Sequence, residues 1–374
     1  MLPRPYRIPL ILALCLAPAP PARADDQGDL PRIEAGLRVI AGWQYESPRA
    51  TATQLALLGT PETDDSFFLD QARLRLDADF GGRARAVVSA DLDSVPMVRN
   101  AYAGYRFTRE LRLRVGRFRR PYSTIEMTNR GRLPFRERGV FNSEVTRGSD
   151  WGDRALGVML WGKIKKPRLR YYLSVSEASG EANNWLARLE ARPFKWLRIG
   201  GGGGVKTDYQ PVGRERVSTL AAFGLDLRLR SSSLEVGIEA LGAQNVNPPG
   251  IGAGSGEASD ESAPELRLPW AGGVLGYVTY DIALGGEAVL QPIVVAELAD
   301  TDLDYSRDEA FRGVIGINHL LTPKLRLMPQ LEWIEPLAPA PFAREAGFDS
   351  ELQLQTQRHV DAEVRVSVMV SMEY

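Results

Sequence analysis

The residues of this sequence best suited to bind a ligand are arginines concentrated in one segment, residues 119–152. Six of them lie in the first part of that segment: Arg119, Arg120, Arg130, Arg132, Arg136 and Arg138. A guanidinium group stays positively charged at every physiological pH and can donate two parallel hydrogen bonds to a carboxylate or a phosphate. We therefore expect these six side chains to attract and bind small anions.

A second group of arginines lies mostly where charged and apolar residues alternate. This group comprises Arg73, Arg75, Arg83, Arg85, Arg112 and Arg114. We expect it to line a wall beside the first group. The alternative role for both groups is structural, because nearby acids could pair with the arginines and hold the segment to the wall. The acids in question are Asp77, Asp79, Asp91, Asp93, Glu126 and Glu137.

The alternation itself predicts β-strands. In residues 71–80, Leu74 and Leu76 share one face with other apolar residues, while Arg73 and Arg75 share the opposite face with acids. A helix would distribute these charges around its axis, whereas a strand produces one apolar and one charged face. Residues 360–374 follow the same pattern, and shorter stretches of it occur at 110–115, 218–230 and 324–333.

The lengths of these strands and of their connections favour a membrane barrel. Several strands run to about ten residues, close to the length that crosses a bilayer at a tilt. Tight joints alternate with mostly longer polar connections, and a sheet in lipid must close because every backbone group needs a partner within the sheet. We therefore predict an all-β fold, a transmembrane antiparallel β-barrel of sixteen strands. Its charged faces should line a water-filled lumen, into which the long third loop, residues 119–152, should fold.

The first 24 residues have the features of a secretory signal peptide. Arg4 and Arg7 precede an apolar stretch at residues 10–17, and residues 22–24 read Ala-Arg-Ala, the small-x-small pattern of a cleavage site. Cleavage before Asp25 would leave residues 25–374 as a single barrel domain. The expected location is the outer membrane of a Gram-negative bacterium.

Composition excludes several other classes of protein. The single cysteine, Cys15, falls within the predicted signal peptide, which excludes disulfides, zinc thiolates and cysteine nucleophiles from residues 25–374. Beyond the signal peptide there is no run of about 20 apolar residues, so a helical membrane protein is excluded. A formal net charge of −1 argues against a general nucleic-acid binder.

Three stretches in the middle of the chain resemble the phosphate-selective porin O and P family. They read LRLRVGRFRRPYS at residues 111–123, RLPFRER at 132–138 and DRALGVMLWG at 153–162. The resemblance implies that the first stretch leads into a third loop that constricts the channel. It also implies a sixteen-stranded, trimeric, passive channel for anions. Family members that select phosphate line the pore with lysines, whereas 40 of the 46 basic residues here are arginine. The sequence therefore does not specify which anion is preferred.

Two weaker motifs each lack a residue that the corresponding ligand site requires. The glycines at 200–204 precede Val205-Lys206-Thr207 and so lack the contiguous Gly-Lys-Thr of a phosphate-binding loop. Asp300, Asp302 and Asp304 have the odd spacing of a calcium loop, but Tyr305 replaces its glycine. We therefore expect no nucleotide or metal site and no cofactor.

The predicted function is a passive outer-membrane porin for small hydrophilic solutes, anion- or phosphate-preferring and without catalytic residues. The expected partners are the lipid bilayer, lipopolysaccharide, small anionic solutes and two further copies of the chain in a homotrimer, with no nucleic acid. One alternative is a lipase-like barrel enzyme, which would need a serine beside His319 or His359. Another is a soluble β-rich periplasmic or adhesin module.

Overall fold

The computed structural model describes residues 31–46, 64–93, 98–140, 142–143, 146, 150–178, 182–209, 217–244, 270–300, 303, 309–336 and 363–373. Within these ranges one antiparallel sheet contains all the strands. The predicted signal peptide, residues 1–24, lies outside the described residues, as do His359 and Tyr374.

The strands follow one another in chain order. They are β1 (Arg32–Glu46), β2 (Asp64–Phe80), β3 (Ala84–Asp91), β4 (Val98–Arg106), β5 (Arg112–Arg119), β6 (Arg154–Ile164), β7 (Leu169–Glu177), β8 (Asn183–Ala191), β9 (Leu197–Tyr209), β10 (Val217–Arg230), β11 (Leu234–Gln244), β12 (Trp270–Tyr280), β13 (Ile282–Gly285), β14 (Ala288–Asp300), β15 (Glu309–Thr322), β16 (Leu325–Pro336) and β17 (Glu363–Glu373).

The sheet closes on itself. The first strand, β1, pairs with β2 along one edge and with β17 along the other, where Arg38 lies opposite Glu373. Both β12 and β13 pair with β14 and are separated only by Asp281, so they are two parts of one barrel strand. Counted in this way, the described chain forms sixteen barrel strands. The predicted sixteen-stranded antiparallel barrel is confirmed, and closure leaves no strand edge without a hydrogen-bonding partner.

The two faces of the strands differ as the sequence pattern predicts. On β2, Leu74 and Leu76 are 40% and 44% exposed on the outside, while Arg73 and Arg75 face the interior. On the last strand, β17, Val370 is exposed and Met369 is buried. An apolar outer face suits lipid, and a polar inner face suits water. The predicted strand at 71–80 lies within β2, and the described part of the predicted 360–374 strand is β17.

The glycines of β9 lie where neighbouring strands approach closely. A Cβ atom at Gly202 would lie 2.6 Å from the backbone oxygen of Ala187 on β8. A Cβ atom at Gly201, on the opposite face, would meet only the flexible end of Leu225 at 2.9 Å and a backbone oxygen at an ordinary 3.5 Å. The inner-face glycine is therefore required by the spacing of the backbone, whereas the outer-face glycine is not.

We expect Gly202→Ala to lower the free energy of unfolding by about 1–3 kcal/mol, because the added methyl group forces the strands apart. Gly201→Ala is the matched control on the same strand and should stay close to the wild type. Urea titration of the refolded barrel in detergent, followed by the gel mobility of folded and unfolded forms, measures both. Equal stability of the two variants would contradict this account of the glycine run.

Candidate functional site

The segment between β5 and β6, residues 120–153, is called here the inner loop. It begins after Arg119 at the end of β5 and ends before Arg154 at the start of β6. It contains a one-turn helix, α1 (Thr124–Met127), and a short 3-10 turn, Arg130–Arg132. Its residues contact side chains on β8, β11, β15 and β16, which face the interior of the barrel. Since the inner loop starts at β5 and contacts the inner faces of strands as distant as β11 and β15, it crosses the interior of the barrel.

One end of the inner loop is docked on a buried carboxylate. Glu239 of β11 accepts hydrogen bonds from the Ser123 hydroxyl at 2.9 Å and the Ile125 N–H at 3.1 Å, and from the Thr124 N–H. These donors include first-turn N–H groups of α1, which have no partner within the helix. The guanidinium of Arg188 donates to the Tyr122 carbonyl at 3.1 Å. This end of the loop is thus tied to β8 and β11 by charge-assisted hydrogen bonds.

Tyr122 adds a neutral contact at the same place. Its hydroxyl lies 2.9 Å from the Gly242 carbonyl and 3.1 Å from the Phe223 carbonyl. Burial raises the pKa of the Tyr122 phenol, with a smaller contribution from the Glu239 charge, so the hydroxyl keeps its proton and remains a donor. The ring packs with Trp151 in the largest hydrophobic cluster of the described residues.

The far end of the inner loop is docked on β15 and β16. Asn318 donates to the Pro134 carbonyl at 2.6 Å, and Arg326 donates to the Leu133 carbonyl at 2.7 Å. Phe135 is buried and meets Tyr277 edge-on, with 5.7 Å between the ring centroids. Apolar burial and polar anchors therefore hold this part of the loop against the wall opposite β5.

A cavity of about 440 Å³ separates residues 127–132 of the inner loop from the wall formed by β1–β6 and β17. Its lining includes seven arginines: Arg38, Arg73, Arg75, Arg114, Arg119, Arg132 and Arg154. The one acid in the lining is Glu373. The lining therefore favours negative ions electrostatically.

Carboxylates in or beside the lining neutralise part of this charge. Five arginines have ion-pair partners: Arg38 with Glu373 at 2.6 Å, Arg73 with Asp91 at 2.5 Å, Arg75 with Asp77 at 3.1 Å, Arg119 with Glu126 at 3.6 Å, and Arg154 with Asp153 at 2.9 Å. Arg114 and Arg132 have no carboxylate within 4 Å among the residues that the structure describes. Of these two, Arg132 is exposed and Arg114 is stacked on Tyr102. The net positive charge of the cavity thus resides mainly on two side chains.

The six predicted constriction arginines divide into two groups. Arg119 and Arg132 line the cavity, and Arg120, Arg130, Arg136 and Arg138 are not part of its lining. Arg120 is 2% exposed and donates to the Gly152 carbonyl at 2.6 Å and the Asp150 carboxylate at 2.5 Å. It therefore ties the end of the inner loop to its beginning.

The other three constriction candidates also hold the loop. Arg130 lies 2.9 Å from Asp70 and 3.0 Å from Glu137. Arg136 stacks on Phe68 at 4.2 Å from the ring centroid, and Arg138 donates to the Thr128 carbonyl at 2.9 Å. For these side chains the contacts match the structural alternative.

The environment of Glu137 explains why it remains a partner for these arginines. Burial acts to raise the pKa of this carboxyl group, but the guanidinium groups of Arg130, Arg136 and Arg312 outweigh burial and lower the pKa below its ordinary value. Glu137 therefore stays ionised well into acidic solution and keeps its ion pairs.

The six predicted wall arginines also occupy different places. Arg73, Arg75 and Arg114 line the cavity. Arg112 lies outside it, at the start of β5, where it stacks over Trp161. Arg85 forms an ion pair with Asp77. Arg83 is exposed in the turn between β2 and β3 and does not belong to the cavity lining.

Ten of the fifteen lining residues were not predicted from the sequence, and Arg38, Arg154 and Asn129 are among them. Arg38 lies in an alternating strand, Arg154 belongs to the motif at 153–162, and Asn129 follows α1. The sequence did contain a signal for two of these residues. Arg38 alternates with apolar residues along its strand, and Arg154 lies in a stretch that resembles the porin family. Asn129 carried none, because its place depends on the path of the inner loop.

Two kinds of feature are absent from the described residues. No group of three or more histidine, cysteine or acidic side chains there is arranged to hold a metal ion. Nor does that part of the chain contain a helix long and apolar enough to cross a membrane. Asp300 ends β14, and the other two acids of the calcium-like spacing, Asp302 and Asp304, lie outside the described residues.

Comparison with known proteins supports the motif-based resemblance. Residues 67–195 match the family model described as phosphate-selective porin O and P. No curated protein matches the chain in sequence. Among solved structures, the anion-selective porin from Comamonas acidovorans superposes with a TM-score of 0.62 at 10% identity, covering 92% of this chain and 100% of that chain.

Two further structures share the fold. The outer membrane channel DcaP of Acinetobacter baumannii has a TM-score of 0.57 at 12% identity over 92% of this chain and 97% of its own. OprB of Pseudomonas putida has a TM-score of 0.59 at 10% identity over 91% of this chain and 94% of its own. The chain thus has the barrel fold of these outer-membrane proteins, and over residues 67–195 it matches the phosphate-selective porin O and P family, as its motifs predicted.

Proposed function

We propose that this protein is a passive outer-membrane porin that prefers small anions, and that solutes pass between the inner loop and the wall formed by β1–β6 and β17. The family match and the barrel fold support the outer-membrane channel. The observation that carries the anion preference is the lining of the cavity, with seven arginines against one acid. A porin requires no cofactor and no covalent chemistry.

The balance of charges suits transport rather than retention. An anion entering the cavity exchanges water for guanidinium donors at Arg114 and Arg132, which have no carboxylate partner among the described residues. The other five cavity arginines are already paired, so the attraction is moderate. Conduction needs sites that are favourable enough to enter and weak enough to leave. This arrangement meets both requirements.

Phosphate is a candidate solute because of the family match, and the guanidinium groups supply suitable donors. Halide and carboxylate ions use the same donors, so we propose a general anion preference that includes phosphate. The apolar outer face supports insertion in a lipid bilayer. One solved structure with this fold, OmpT of Vibrio cholerae, is described as a trimer form, and we propose a homotrimer here by analogy. Contact with lipopolysaccharide remains a prediction.

The lipase-like alternative receives no support from the described residues. His319 lies on β15, where its cross-strand neighbours are Leu290 and Leu327 rather than serine. A catalytic histidine needs a nucleophile within hydrogen-bonding distance. We therefore retain the channel as the proposed function.

Bilayer electrophysiology tests this proposal. In a gradient of potassium chloride, the reversal potential should have the sign of chloride permeation, and addition of phosphate should reduce or carry current. The preference should weaken between 0.1 M and 1 M salt, because the Debye length falls from about 10 Å to about 3 Å. Potassium preference, or a preference independent of salt, would contradict selection by the arginine charges.

A further inference from the structure

A row of stacked arginine and aromatic side chains continues from the cavity along the inner wall. It consists of Tyr102, Arg114, Trp161, Arg112 and Tyr172, and is called here the stacked wall. The guanidinium carbon of Arg114 lies 4.3 Å from the Tyr102 ring centroid and 5.8 Å from that of Trp161. The guanidinium carbon of Arg112 lies 4.6 Å from the Trp161 centroid. Trp161 and Tyr172 are nearly parallel, at 10° and 6.3 Å between centroids.

The pairing of the strands places these groups on one face. Arg112 lies opposite Trp161 in the β5–β6 register, and Trp161 lies opposite Tyr172 in the β6–β7 register. Their neighbours Leu160 and Leu173 are 38% and 51% exposed on the outer face, so alternation directs the row inward. All five side chains of the stacked wall are partly exposed rather than buried.

The position of the row connects it with the cavity. Tyr102 and Arg114 belong to the cavity lining. From there the row runs towards the start of β5 and the end of β6, beside the short turns at 107–111 and 165–168. A solute that leaves the cavity in this direction passes along the stacked wall.

The arginines of the row still have donors to offer. Among the described residues, neither Arg112 nor Arg114 has a carboxylate within 4 Å, and both side chains are partly exposed, although the unpaired Nε atom of Arg112 is itself buried. Stacking occupies one flat face of a guanidinium group and leaves its other face and the N–H groups along its edge available. The row therefore offers cationic edges and aromatic faces side by side.

We propose that the stacked wall is a subsite for planar aromatic carboxylates, which rests on the proposed anion-conducting function. The carboxylate accepts hydrogen bonds from the N–H groups of Arg112 or Arg114, and the ring of the solute lies against Trp161, which both arginines approach. Chloride and aliphatic carboxylates use only the donors, whereas an aromatic ring adds a stacking contact with the side chains and a guanidinium face. The partial exposure of the row keeps such binding transient.

The test compares two monocarboxylates of similar size, benzoate and cyclohexanecarboxylate, as inhibitors of the chloride current through single channels. Benzoate should inhibit at a concentration roughly two- to ten-fold lower, the range that one aromatic contact contributes. In Trp161→Leu the two inhibition constants should become equal. Trp185→Leu, which changes an outward-facing tryptophan of β8, is the matched control and should keep the difference.

Equal inhibition by the two acids in the wild-type channel would overturn the proposal, as would a difference that survives in Trp161→Leu. If Trp161→Leu fails to fold, Trp161→Met applies the same criterion, because it also removes the ring while keeping a long apolar side chain. The reversal potential in potassium chloride is recorded for every variant. It reports the proposed function separately, since a chloride-selective pore without benzoate preference refutes the subsite alone and a potassium-selective pore refutes the porin proposal itself.

Discussion

Replacing Arg132 with glutamate should abolish or reverse the preference of the channel for anions. Arg132 is exposed at the cavity and has no carboxylate partner among the described residues, so its charge acts directly on a passing ion. A unit charge about 8 Å from an ion contributes roughly 2 kcal/mol at an effective dielectric constant of about 20. Replacing a positive by a negative charge doubles the change in this interaction energy, and screening by salt reduces it. We expect the chloride-to-potassium permeability ratio to fall at least about ten-fold.

The matched control for this experiment is Arg83→Glu. It makes the same chemical change at an exposed turn outside the cavity lining and should leave the permeability ratio near that of the wild type. Reversal potentials at 0.1 M salt measure both variants. An unchanged ratio in Arg132→Glu, or an equal fall in Arg83→Glu, would mean that the cavity charge does not control selectivity.

This experiment also separates the members of the predicted arginine cluster. Arg130, Arg136 and Arg138 make contacts within the inner loop and with the wall, whereas Arg132 faces the cavity. Of the four, Arg132 should therefore account for most of the effect on selectivity. Substitution of the other three should act mainly on the docking of the inner loop.

Replacing Glu239 with alanine should release one end of the inner loop and widen the channel. The substitution removes the acceptor of the Ser123 hydroxyl and of the Thr124 and Ile125 N–H groups, all of which are buried. A buried donor that loses its partner costs about 1–3 kcal/mol. The summed loss is comparable with the few kcal/mol by which a docked loop is held. We expect a larger single-channel conductance and a weaker anion preference.

Limited proteolysis measures the same change independently. Trypsin added to the barrel in liposomes should cleave the released loop at its arginines faster than it cleaves the wild type. Glu235→Ala is the control, because Glu235 lies on the same strand but contacts Arg228, Arg230 and Tyr277 instead of the inner loop. Wild-type conductance and protease resistance in Glu239→Ala would show that the remaining contacts suffice to dock the loop.

The barrel could be predicted from the sequence because the pattern that specifies each strand lies within about ten consecutive residues. In residues 71–80 apolar side chains alternate with polar ones, most of which are charged, and the two-residue period of a strand converts this order directly into an outer and an inner face. Strand number followed from the joints between such stretches. The break at Asp281 lies inside one barrel strand, so it did not alter the count of sixteen.

The location of the candidate site could be predicted from the sequence, but the set of arginines that line it could not. The length and composition of residues 119–152 marked the inner loop and its arginines. Yet Arg119 and Arg132 line the cavity while Arg120 is buried against Asp150, although 119 and 120 are adjacent. In an irregular loop the directions of neighbouring side chains follow no regular repeat, so the sequence does not indicate which of them face the cavity.

The sequence by itself therefore determined the strands, their faces and the segment that carries the arginines. Only the tertiary structure decided which arginines remain without a carboxylate partner. Closure of the barrel brings Arg38 to Glu373 across nearly the full length of the chain, and folding of the inner loop brings Arg130 to Asp70. An ion pair forms only between groups within a few ångströms, so the charge left for a solute depends on contacts that no local pattern specifies.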